Sequence, residues 1–327
     1  MLVVSVGCPC GIGPEVSVRA AAKVPGVVLV GDWDMLHEAA ELVSLPRKRL
    51  VKFEGECKDP RAIYVHSVGQ KLSLRDRKPG RPSRAAGAAQ LAYINEAYRL
   101  TKAVPRRALV TGPVSKAAIA HSGVPGAERF LGHTEWLQAL DHRKVSVMCF
   151  AAGRLVTSLV TTHLPISKVP KSVTTRGVND AVFYLAELLL ALAKKSPKIA
   201  VCSLNPHAGE SELFGLDEAR AIVPGIRAAE RRLRKRAQLI GPIGAETAFR
   251  KAMAGVYDGV VAMYHDQATI PMKLVAFGEA VNVTMGLSIV RTSVDHGTAY
   301  DIAWTGVARA EGMRSALELA RRLVSSR

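Results

Sequence analysis

The sequence predicts an α/β fold in two lobes. Apolar runs rich in β-branched residues alternate with helical patterns along the chain, which indicates helices packed around a mostly parallel sheet. The chain has 327 residues, of which 48% are hydrophobic and 22% are charged, a balance typical of globular α/β proteins. Because this length exceeds the usual size of one hydrophobic core, we expect two lobes with a cleft between them.

Strand-length runs and helical stretches follow one another from the N-terminus onward. The predicted strands cover residues 2–6, 27–30, 108–111, 145–150, 155–160, 199–203 and 259–263. The predicted helices cover residues 85–101, 178–193, 217–236 and 313–325. Residues 71–84, rich in basic residues, proline and glycine, indicate an exposed loop before the first of these helices. No linker composition stands out, so we expect one lobe to be discontinuous.

The sequence offers no signal for export or for a membrane. No apolar run approaches the roughly 20 residues that span a bilayer, and the N-terminus lacks the basic start and cleavage site of a signal peptide. We therefore expect a cytoplasmic protein. In that reducing compartment its scattered cysteines need no disulfides, and the C-x-C of Cys8 and Cys10 is only a weak metal signal without a second pair. The five cysteines are Cys8, Cys10, Cys57, Cys149 and Cys202.

The formal net charge of +17 permits two interpretations. Clustered cations release counterions when they meet nucleic-acid phosphates, but the densest cluster lies on one predicted helix without interleaved aromatic residues. A solvated helix face explains it more simply, and a positive field would also steer a phosphorylated substrate toward a cleft. The cluster comprises Arg227, Arg231, Arg232, Arg234, Lys235 and Arg236.

A glycine-rich segment, G-C-P-C-G-I-G-P-E at residues 7–15, follows the first predicted strand and precedes a helix. Backbone N–H groups at such a corner can receive an anion, or the segment can be a structural turn. It lacks the third glycine of the G-x-G-x-x-G fingerprint, so the sequence does not predict a Rossmann dinucleotide site here.

Three histidines each lie in a short polar segment directly after a predicted strand. They are His163 in T-T-H-L-P, His207 in N-P-H-A-G-E and His265 in Y-H-D-Q. Strand ends are where α/β active sites gather. Three neutral imidazoles bind zinc and similar divalent ions and leave an open position for a substrate oxygen. Each histidine alone can instead be a hydrogen-bonded structural residue.

The last quarter of the chain holds a row of polar residues suited to anionic groups. Lys273 and Arg291 are fixed cations and Asn282 adds an amide, which together form a clamp for phosphate and carboxylate. Surface salt bridges explain the same residues equally well. Upstream, T-G-P-V-S-K at 111–116 and G-H-T-E at 132–135 lie at predicted helix starts, where backbone N–H groups can meet an anion.

Taken together, these segments resemble the 4-hydroxythreonine-4-phosphate dehydrogenase family. Its members carry G-D-P-x-G-I-G-P-E, T-G-P-x-x-K, G-H-T-E, T-T-H, N-P-H-A-G-E, Y-H-D-Q and R-T-S-V-D-H-G-T-A in this order, and the match runs from Gly7 to about Ala310. The resemblance implies a two-lobed α/β/α sandwich similar to isocitrate and isopropylmalate dehydrogenases, with its active site in the inter-lobe cleft of a homodimer. It implies a nucleotide-binding lobe of residues 1–135 plus 275–327 and a metal-binding and dimerisation lobe of residues 136–274.

The same resemblance assigns residues to roles. The divalent metal, Zn²⁺, Mg²⁺ or Co²⁺, would be bound by His163, His207 and His265, with ligands drawn from both subunits. The substrate would contact His133, Thr134, Lys273, Asn282 and Arg291. NAD or NADP would bind an element similar to the H-G-S-A-P-D-I-A stretch of the wider dehydrogenase group, here Asp295, His296, Gly297, Thr298 and Asp301. The proton acceptor stays open between Lys116, Asp266 and a metal-held hydroxyl.

The implied reaction is NAD(P)-dependent oxidation of 4-phosphohydroxy-L-threonine to 2-amino-3-oxo-4-phosphooxybutanoate. This product decarboxylates to 3-amino-2-oxopropyl phosphate, on the route to pyridoxal phosphate. The chain departs from the family at Cys8 and Glu246, where aspartate is usual, at Cys10, where alanine is common, and at Ala268, where a glycine-led turn is usual. These departures leave open a sister activity on D-threonate or D-erythronate 4-phosphate. The alternative of another class is a non-catalytic, basic nucleic-acid-binding protein.

Overall fold

The structure, a computed structural model, describes residues 1–69, 71–276 and 278–326. The chain divides into two compact units. The first unit is discontinuous and contains Met1–Arg143 and Leu287–Ser325, and the second contains Lys144–Gly286. The nucleotide-binding and metal-binding roles expected of two lobes, and the boundaries expected near residues 135 and 275, stay predictions.

The strands are short and mostly buried. They are β1 (Leu2–Ser5), β2 (Val27–Gly31), β3 (Leu50–Lys52), β4 (Ile63–Ser67), β5 (Ala108–Thr111), β6 (Val147–Ala152), β7 (Leu155–Leu159), β8 (Lys198–Cys202), β9 (Gln238–Ile243), β10 (Gly259–Ala262), β11 (Val281–Met285) and β12 (Val290–Val294). In the first unit, the order β3-β4-β2-β1-β5-β12 is parallel throughout. Parallel strands buried on both faces need continuous apolar sequence, which accounts for runs such as Leu2–Ser5.

The second unit contains the order β11-β6-β7-β10-β8-β9. Strand β6 pairs antiparallel with both β11 and β7, whereas β7, β10, β8 and β9 are parallel to one another. The carboxyl ends of β7, β10 and β8 therefore lie along one edge of this sheet. That edge is where the three candidate metal ligands leave their strands.

Helices alternate with the strands as expected. They are α1 (Gly13–Ala21), α2 (Trp33–Leu42), α3 (Arg84–Lys102), α4 (Lys116–Ala120), α5 (His133–Leu140), α6 (Val169–Ser172), α7 (Thr175–Ala191), α8 (Val223–Leu233), α9 (Ala245–Met253), α10 (His265–Ala276) and α11 (Glu311–Ser325). Local sequence fixes several starts, because the side chains of Asp32, Ser83 and Thr174 accept backbone N–H bonds as N-caps. Within the described ranges, no helix is long and apolar enough to cross a bilayer.

The structure confirms the seven predicted strands to within two residues at each end and adds strands that the sequence pattern concealed. Strands β3 and β4 were missed because the first is three residues long and the second ends in polar residues. Strands β11 and β12 were missed because polar residues, among them Asn282 and Arg291, interrupt their apolar pattern. The predicted helix 217–236 is shorter than expected, since it ends at Leu233 and Arg234 turns left-handed with φ 50°.

Candidate active site

Three basic side chains and one threonine lie together within the first unit. They are Lys116, His133, Arg291 and Thr111, and we call them the basic cluster. Strand β12 pairs with β5, so Arg291 lies beside the strand that ends in Thr111. The Arg291 guanidinium donates to the Thr111 hydroxyl at 2.7 Å and is 2% exposed. Burial lowers the pKa of Arg291 to about 10, against the opposing charge of Glu135. Even so, Arg291 remains a cation at neutral pH.

His133 begins α5 and completes the cluster. Its Nε2 atom is buried and has no hydrogen-bond partner in the part of the chain that the structure describes. Burial, followed by the charges of Arg291 and Lys116, holds the pKa of His133 well below its ordinary value. The imidazole is therefore neutral at physiological pH, and a buried polar atom without a partner indicates a place for a ligand.

Lys116 lies close to the start of α5. A Cβ atom on Gly132 would lie 2.9 Å from Glu135 Oε2 and 3.6 Å from Lys116 Nζ. The exposed Lys116 amine therefore stands beside the residue that precedes His133. Thr134, the other predicted substrate residue of this segment, is half-buried in the first turn of α5.

The loop that contains the predicted cofactor residues packs against the glycine-rich segment of residues 7–15. Ile12 N donates to Thr298 O at 3.0 Å, and a Cβ on Gly11 would lie 2.7 Å from the same oxygen. Buried Glu15 accepts from Trp304 N at 2.9 Å and Gly306 N at 3.1 Å. These contacts anchor the loop containing the predicted cofactor residues, Asp295, His296, Gly297, Thr298 and Asp301. Its His296 Nε2 atom is buried without a partner among the described residues.

The glycine-rich segment itself is a packing turn. Cys8 N donates to Pro113 O at 2.8 Å and Gly11 N donates to Cys8 O at 3.1 Å. Together with Ile12 N, these donors are already satisfied by carbonyl oxygens, so they do not form an open anion cradle. The thiol of Cys8 lies 3.5 Å from the Tyr300 hydroxyl, and the adjacent Cys10 thiol lowers the pKa of Cys8.

In the second unit, the segments that carry His163, His207 and His265 follow β7, β8 and β10; we call them the histidine segments. The rings of His163 and His265 have centroids 5.4 Å apart. The Nδ1 atom of His265 lies 2.6 Å from Asp266 Oδ1. An imidazole that donates Nδ1–H to a carboxylate presents its Nε2 lone pair, which is the arrangement found in metal-binding histidines.

His207 lies in a strained turn. His207, Ala208, Glu210, Ser211 and Glu212 all have left-handed φ values between 39° and 76°, a conformation that costs non-glycine residues energy and clusters at functional sites. Buried Glu218 holds the preceding residues, since its Oε1 accepts from Leu204 N at 2.9 Å and from Asn205 N at 2.8 Å. Nothing in the sequence pattern identified Glu218 as a positioning residue, because it lies eleven residues beyond His207.

The donor chemistry of the histidine segments suits zinc and related divalent cations, but the arrangement within one chain is partial. Across residues 1–69, 71–276 and 278–326, no three histidine, cysteine, aspartate or glutamate side chains are grouped closely enough to hold a metal. The structure brings His163 and His265 together, and His207 does not join them in a group that could hold a metal. Gln267 links two of the segments, because it donates to Ser203 O at 2.9 Å and accepts from Met263 N at 2.6 Å.

The remaining predicted substrate residues lie in the second unit. Lys273 is exposed on α10, and half-buried Asn282 lies in β11. The Asn282 Oδ1 atom is buried without a partner among the described residues. The sequence pattern placed Thr111 in the candidate segment T-G-P-V-S-K but gave this residue no role of its own.

Comparison with known proteins defines the class. A crystal structure of 4-hydroxythreonine-4-phosphate dehydrogenase from Klebsiella pneumoniae superimposes with a TM-score of 0.85 at 34% identity, covering 99% of each chain. A Geobacter metallireducens protein of the same name is 38% identical over 98% of this chain and 94% of its own length. A Bradyrhizobium diazoefficiens protein, provisionally named D-threonate 4-phosphate dehydrogenase, is 35% identical over 99% and 96%. The fold and these likenesses define an α/β dehydrogenase, which confirms the predicted fold class.

The family follows from a match over most of the chain. The sequence profile described as "Pyridoxal phosphate biosynthetic protein PdxA" matches residues 23–320. The chain belongs to the PdxA family.

Proposed function

We propose that this protein oxidises 4-phosphohydroxy-L-threonine with NAD or NADP in pyridoxal phosphate biosynthesis. The observation that carries the proposal is the basic cluster, which combines a buried arginine, a lysine and a neutral histidine whose buried Nε2 atom has no partner among the described residues. The substrate has a phosphate and a carboxylate, which charge-assisted bonds from such cations recognise. Family membership supplies the reaction class.

Within the basic cluster, each residue has a distinct proposed task. Arg291, oriented by Thr111, binds an anionic group of the substrate. Neutral His133 and Thr134 bind its oxygen atoms through hydrogen bonds. We assign Lys116 to accept the proton of the substrate hydroxyl group, and we assign Lys273 and Asn282 to further substrate contacts. A bound NAD or NADP would supply the oxidising power, as acceptor of the hydride from the carbon that carries this hydroxyl group. The resulting 3-keto acid then loses carbon dioxide to give 3-amino-2-oxopropyl phosphate.

The histidine segments would hold a divalent cation, with His163, His207 and His265 as ligands. When bound, such a cation stabilises the negative charge that develops on the substrate hydroxyl oxygen. Asp266 fixes the orientation of His265 through its Nδ1 atom. This assignment gives Asp266 a positioning task and leaves the proton transfer to Lys116. Residues Asp295, His296, Gly297, Thr298 and Asp301 would hold the adenosine part of the dinucleotide.

A homodimer accounts for the separation of His207 from the other two histidines. Large apolar side chains are exposed in or shortly after each histidine segment. Large exposed apolar patches are rare on monomeric soluble proteins and often mark interfaces. The exposed side chains are Leu164, Ile166, Leu213, Phe214, Leu216, Ile270, Leu274 and Val275. We propose that a second copy of the chain covers these side chains and contributes its His207 to the pair His163 and His265. Five free cysteines fit the proposed cytoplasmic location.

The shared site can be tested by complementation. Equal amounts of His207→Ala and His265→Ala subunits, dissociated and reassociated, should recover about one quarter of wild-type activity, because half the dimers are mixed and each mixed dimer has one intact site. Each variant alone should be inactive. If the mixture stays as inactive as its components, the two histidines do not come from different subunits.

A second candidate substrate class is the four-carbon acid sugar phosphates. The Bradyrhizobium diazoefficiens relative carries that name, and Cys8 beside Tyr300 stands where the resemblance expects an aspartate. The substrates differ in whether an amino or a hydroxyl group lies beside the carboxylate. By contrast, two observations count against a nucleic-acid-binding surface: Arg232 pairs with Asp180 at 2.7 Å and Arg236 pairs with Glu187 at 2.7 Å.

The deciding assay measures NAD(P)H formation with 4-phosphohydroxy-L-threonine and with D-threonate and D-erythronate 4-phosphates, each with and without added Zn²⁺, Mg²⁺ or Co²⁺. Metal-dependent turnover of the threonine derivative supports the proposed function. Turnover of only the amino-free acids would move the protein to sugar-acid catabolism. Absence of turnover with all three would contradict both proposals.

A further inference from the structure

A cavity in the first unit is lined by residues with no role in the proposed reaction. Its volume is about 530 Å³, within the range of about 300–1,000 Å³ that small-molecule sites occupy. It opens where β2, β3 and β4 end, and these strands are parallel neighbours. Ligands of α/β proteins bind at the carboxyl ends of such strands. None of its lining residues belongs to the basic cluster or to the predicted cofactor loop.

Aromatic rings form the walls of this cavity. Trp33 follows β2, Phe53 follows β3 and His66 lies in β4, and all three are partly exposed to the cavity. Phe53 and His66 meet edge to face, with centroids 6.2 Å apart and planes at 75°. The start of α2 is held in place, because the Asp32 carboxylate accepts from Met35 N at 2.9 Å and from Leu72 N at 3.0 Å. Partly exposed aromatic rings favour a planar partner, since stacking needs no specific hydrogen bonds.

Two aspartates and two lysines line the cavity, so its formal charge is balanced. Asp32 accepts backbone N–H bonds and Asp34 pairs with Lys71, which leaves Lys52 available to an anion. Lys52 extends over the Trp33 ring, with its Nζ atom 5.9 Å from the ring centroid. No carboxylate of the described residues forms an ion pair with Lys52, whereas Lys71 pairs with Asp34. The nearby carboxylate of Glu96 is held by His66 at 2.8 Å and by Arg99 at 2.6 Å. A ligand phosphate would thus meet the Lys52 ammonium group, which pairs with no carboxylate of the described residues, and would compete with Asp34 for Lys71.

We propose that this cavity binds a planar aromatic monophosphate, with its ring against Trp33 and Phe53 and its phosphate at Lys52 and Lys71. The ring and the phosphate are both required, because the walls are aromatic and Lys52 is the lining cation that pairs with no carboxylate of the described residues. Inorganic phosphate alone lacks the stacking partner, and a neutral nucleoside lacks the anion. The site is separate from the proposed dehydrogenase reaction and does not depend on it.

The experiment is a binding titration by isothermal calorimetry with adenosine 5′-monophosphate and phenyl phosphate, using adenosine and inorganic phosphate as component controls. Both monophosphates should bind saturably, and each component alone should bind at least about tenfold more weakly. Trp33→Ala should weaken binding of adenosine monophosphate about tenfold or more through lost stacking. Lys52→Ala should weaken it about three- to tenfold, while Lys52→Arg should retain most of the affinity. Lys58→Ala, an exposed lysine outside the cavity lining, is the matched control and should change nothing.

Binding at the predicted cofactor loop must be distinguished from binding in this cavity. In excess NAD, the wild-type protein should still bind some adenosine monophosphate. This residual binding should be lost in Trp33→Ala and in Lys52→Ala. Binding that NAD abolishes completely, and that both variants retain, would overturn the proposal. So would failure of both monophosphates to bind a folded wild-type protein. If the protein binds the probes in this way but does not catalyse the proposed reaction, the proposed ligand site in the cavity still stands.

Discussion

The basic cluster of the first unit and the histidine segments of the second differ in how completely one chain builds them. In the basic cluster, Arg291 is buried, oriented by Thr111 and accompanied by the shielded His133. In the histidine segments, His163 and His207 are exposed, and the turn that contains His207 has left-handed backbone. The first arrangement is preorganised within its unit, whereas the second presents ligands without assembling them.

The difference follows from what each region must bind. Burying a guanidinium costs desolvation energy, which neighbouring hydrogen bonds and packing must offset before any ligand arrives. Histidines that bind a cation need no such burial, because the metal itself supplies the organising interaction. Strain in the turn at His207 is tolerated because Glu218 anchors its preceding residues. Mutations should therefore affect folding in the basic cluster and metal content in the histidine segments.

The largest effect is expected at His207. His207→Ala should lower turnover by about 10³-fold or more, because it removes a proposed metal ligand, and it should leave the melting temperature nearly unchanged because the side chain is exposed. Turnover at saturating substrate, metal content and thermal unfolding are the measurements. His121→Ala, an exposed histidine outside the histidine segments, is the control. Normal turnover in His207→Ala would remove this residue from the metal site.

Arg291→Ala should mainly raise KM, by about 100-fold, since a buried charge-assisted contact to the substrate is lost. Some loss of stability is also expected, because the Thr111 hydroxyl loses its partner and a cavity remains. Arg291→Lys keeps a cation but lacks the planar guanidinium group, so its KM should lie between those of the wild type and Arg291→Ala. Steady-state kinetics on the folded fraction measures the effect, with the exposed Arg309→Ala as control. Unchanged KM and kcat would exclude Arg291 from the substrate site.

How far the sequence predicted these two regions depends on the type of signal. The histidine segments were located because each follows an apolar run, and parallel strand order brings their ends to one sheet edge. The burial of Arg291 was not predictable in this way, since a charged residue in V-R-T-S-V interrupts the apolar pattern of a strand. Glu218 was missed because its contact with Asn205 depends on tertiary folding. Sequence periodicity indicates which faces of a helix or strand are apolar. It does not indicate which polar side chains the fold buries.

Asp266→Asn distinguishes orientation of a metal ligand from proton transfer. Asp266 holds His265 at 2.6 Å, and loss of such a partner typically weakens metal binding by about 10- to 100-fold. Turnover should fall at limiting metal and return close to the wild-type kcat at saturating metal. A kcat that stays low at every metal concentration would make Asp266 the proton acceptor in place of Lys116. Lys116→Met should show the opposite pattern, with normal metal affinity and low kcat.

Asp141→Asn tests the hydrogen bonds that hold α3 to the segment before β12, the strand that carries Arg291. Asp141 accepts from Tyr98 at 2.8 Å, from Lys102 at 2.8 Å and from Ser288 N at 2.5 Å, and so joins α3 to the segment before β12. Burial would raise its pKa, but bonds from Lys102, Ser288 and Tyr98 lower the pKa to about 2. We expect a loss of about 2–3 kcal/mol in the free energy of unfolding by urea titration. The exposed Glu128→Gln is the control and should leave the free energy of unfolding unchanged within the error of the titration.

The smallest effect is a pH dependence that His133 should impose on stability. Its pKa is lowered in the folded state by burial and by the charges of Arg291 and Lys116, whereas in the unfolded chain it returns to about 6.5. Below that value the unfolded state binds one more proton, so stability is full above about pH 6.5 and falls by at most about 1.4 kcal/mol per pH unit beneath it. His133→Asn should remove this slope, which urea titrations between about pH 5 and 7 can measure. An identical slope in wild type and variant would mean that His133 protonates in the folded basic cluster as easily as in water, and the cluster would then be open to solvent and not preorganised.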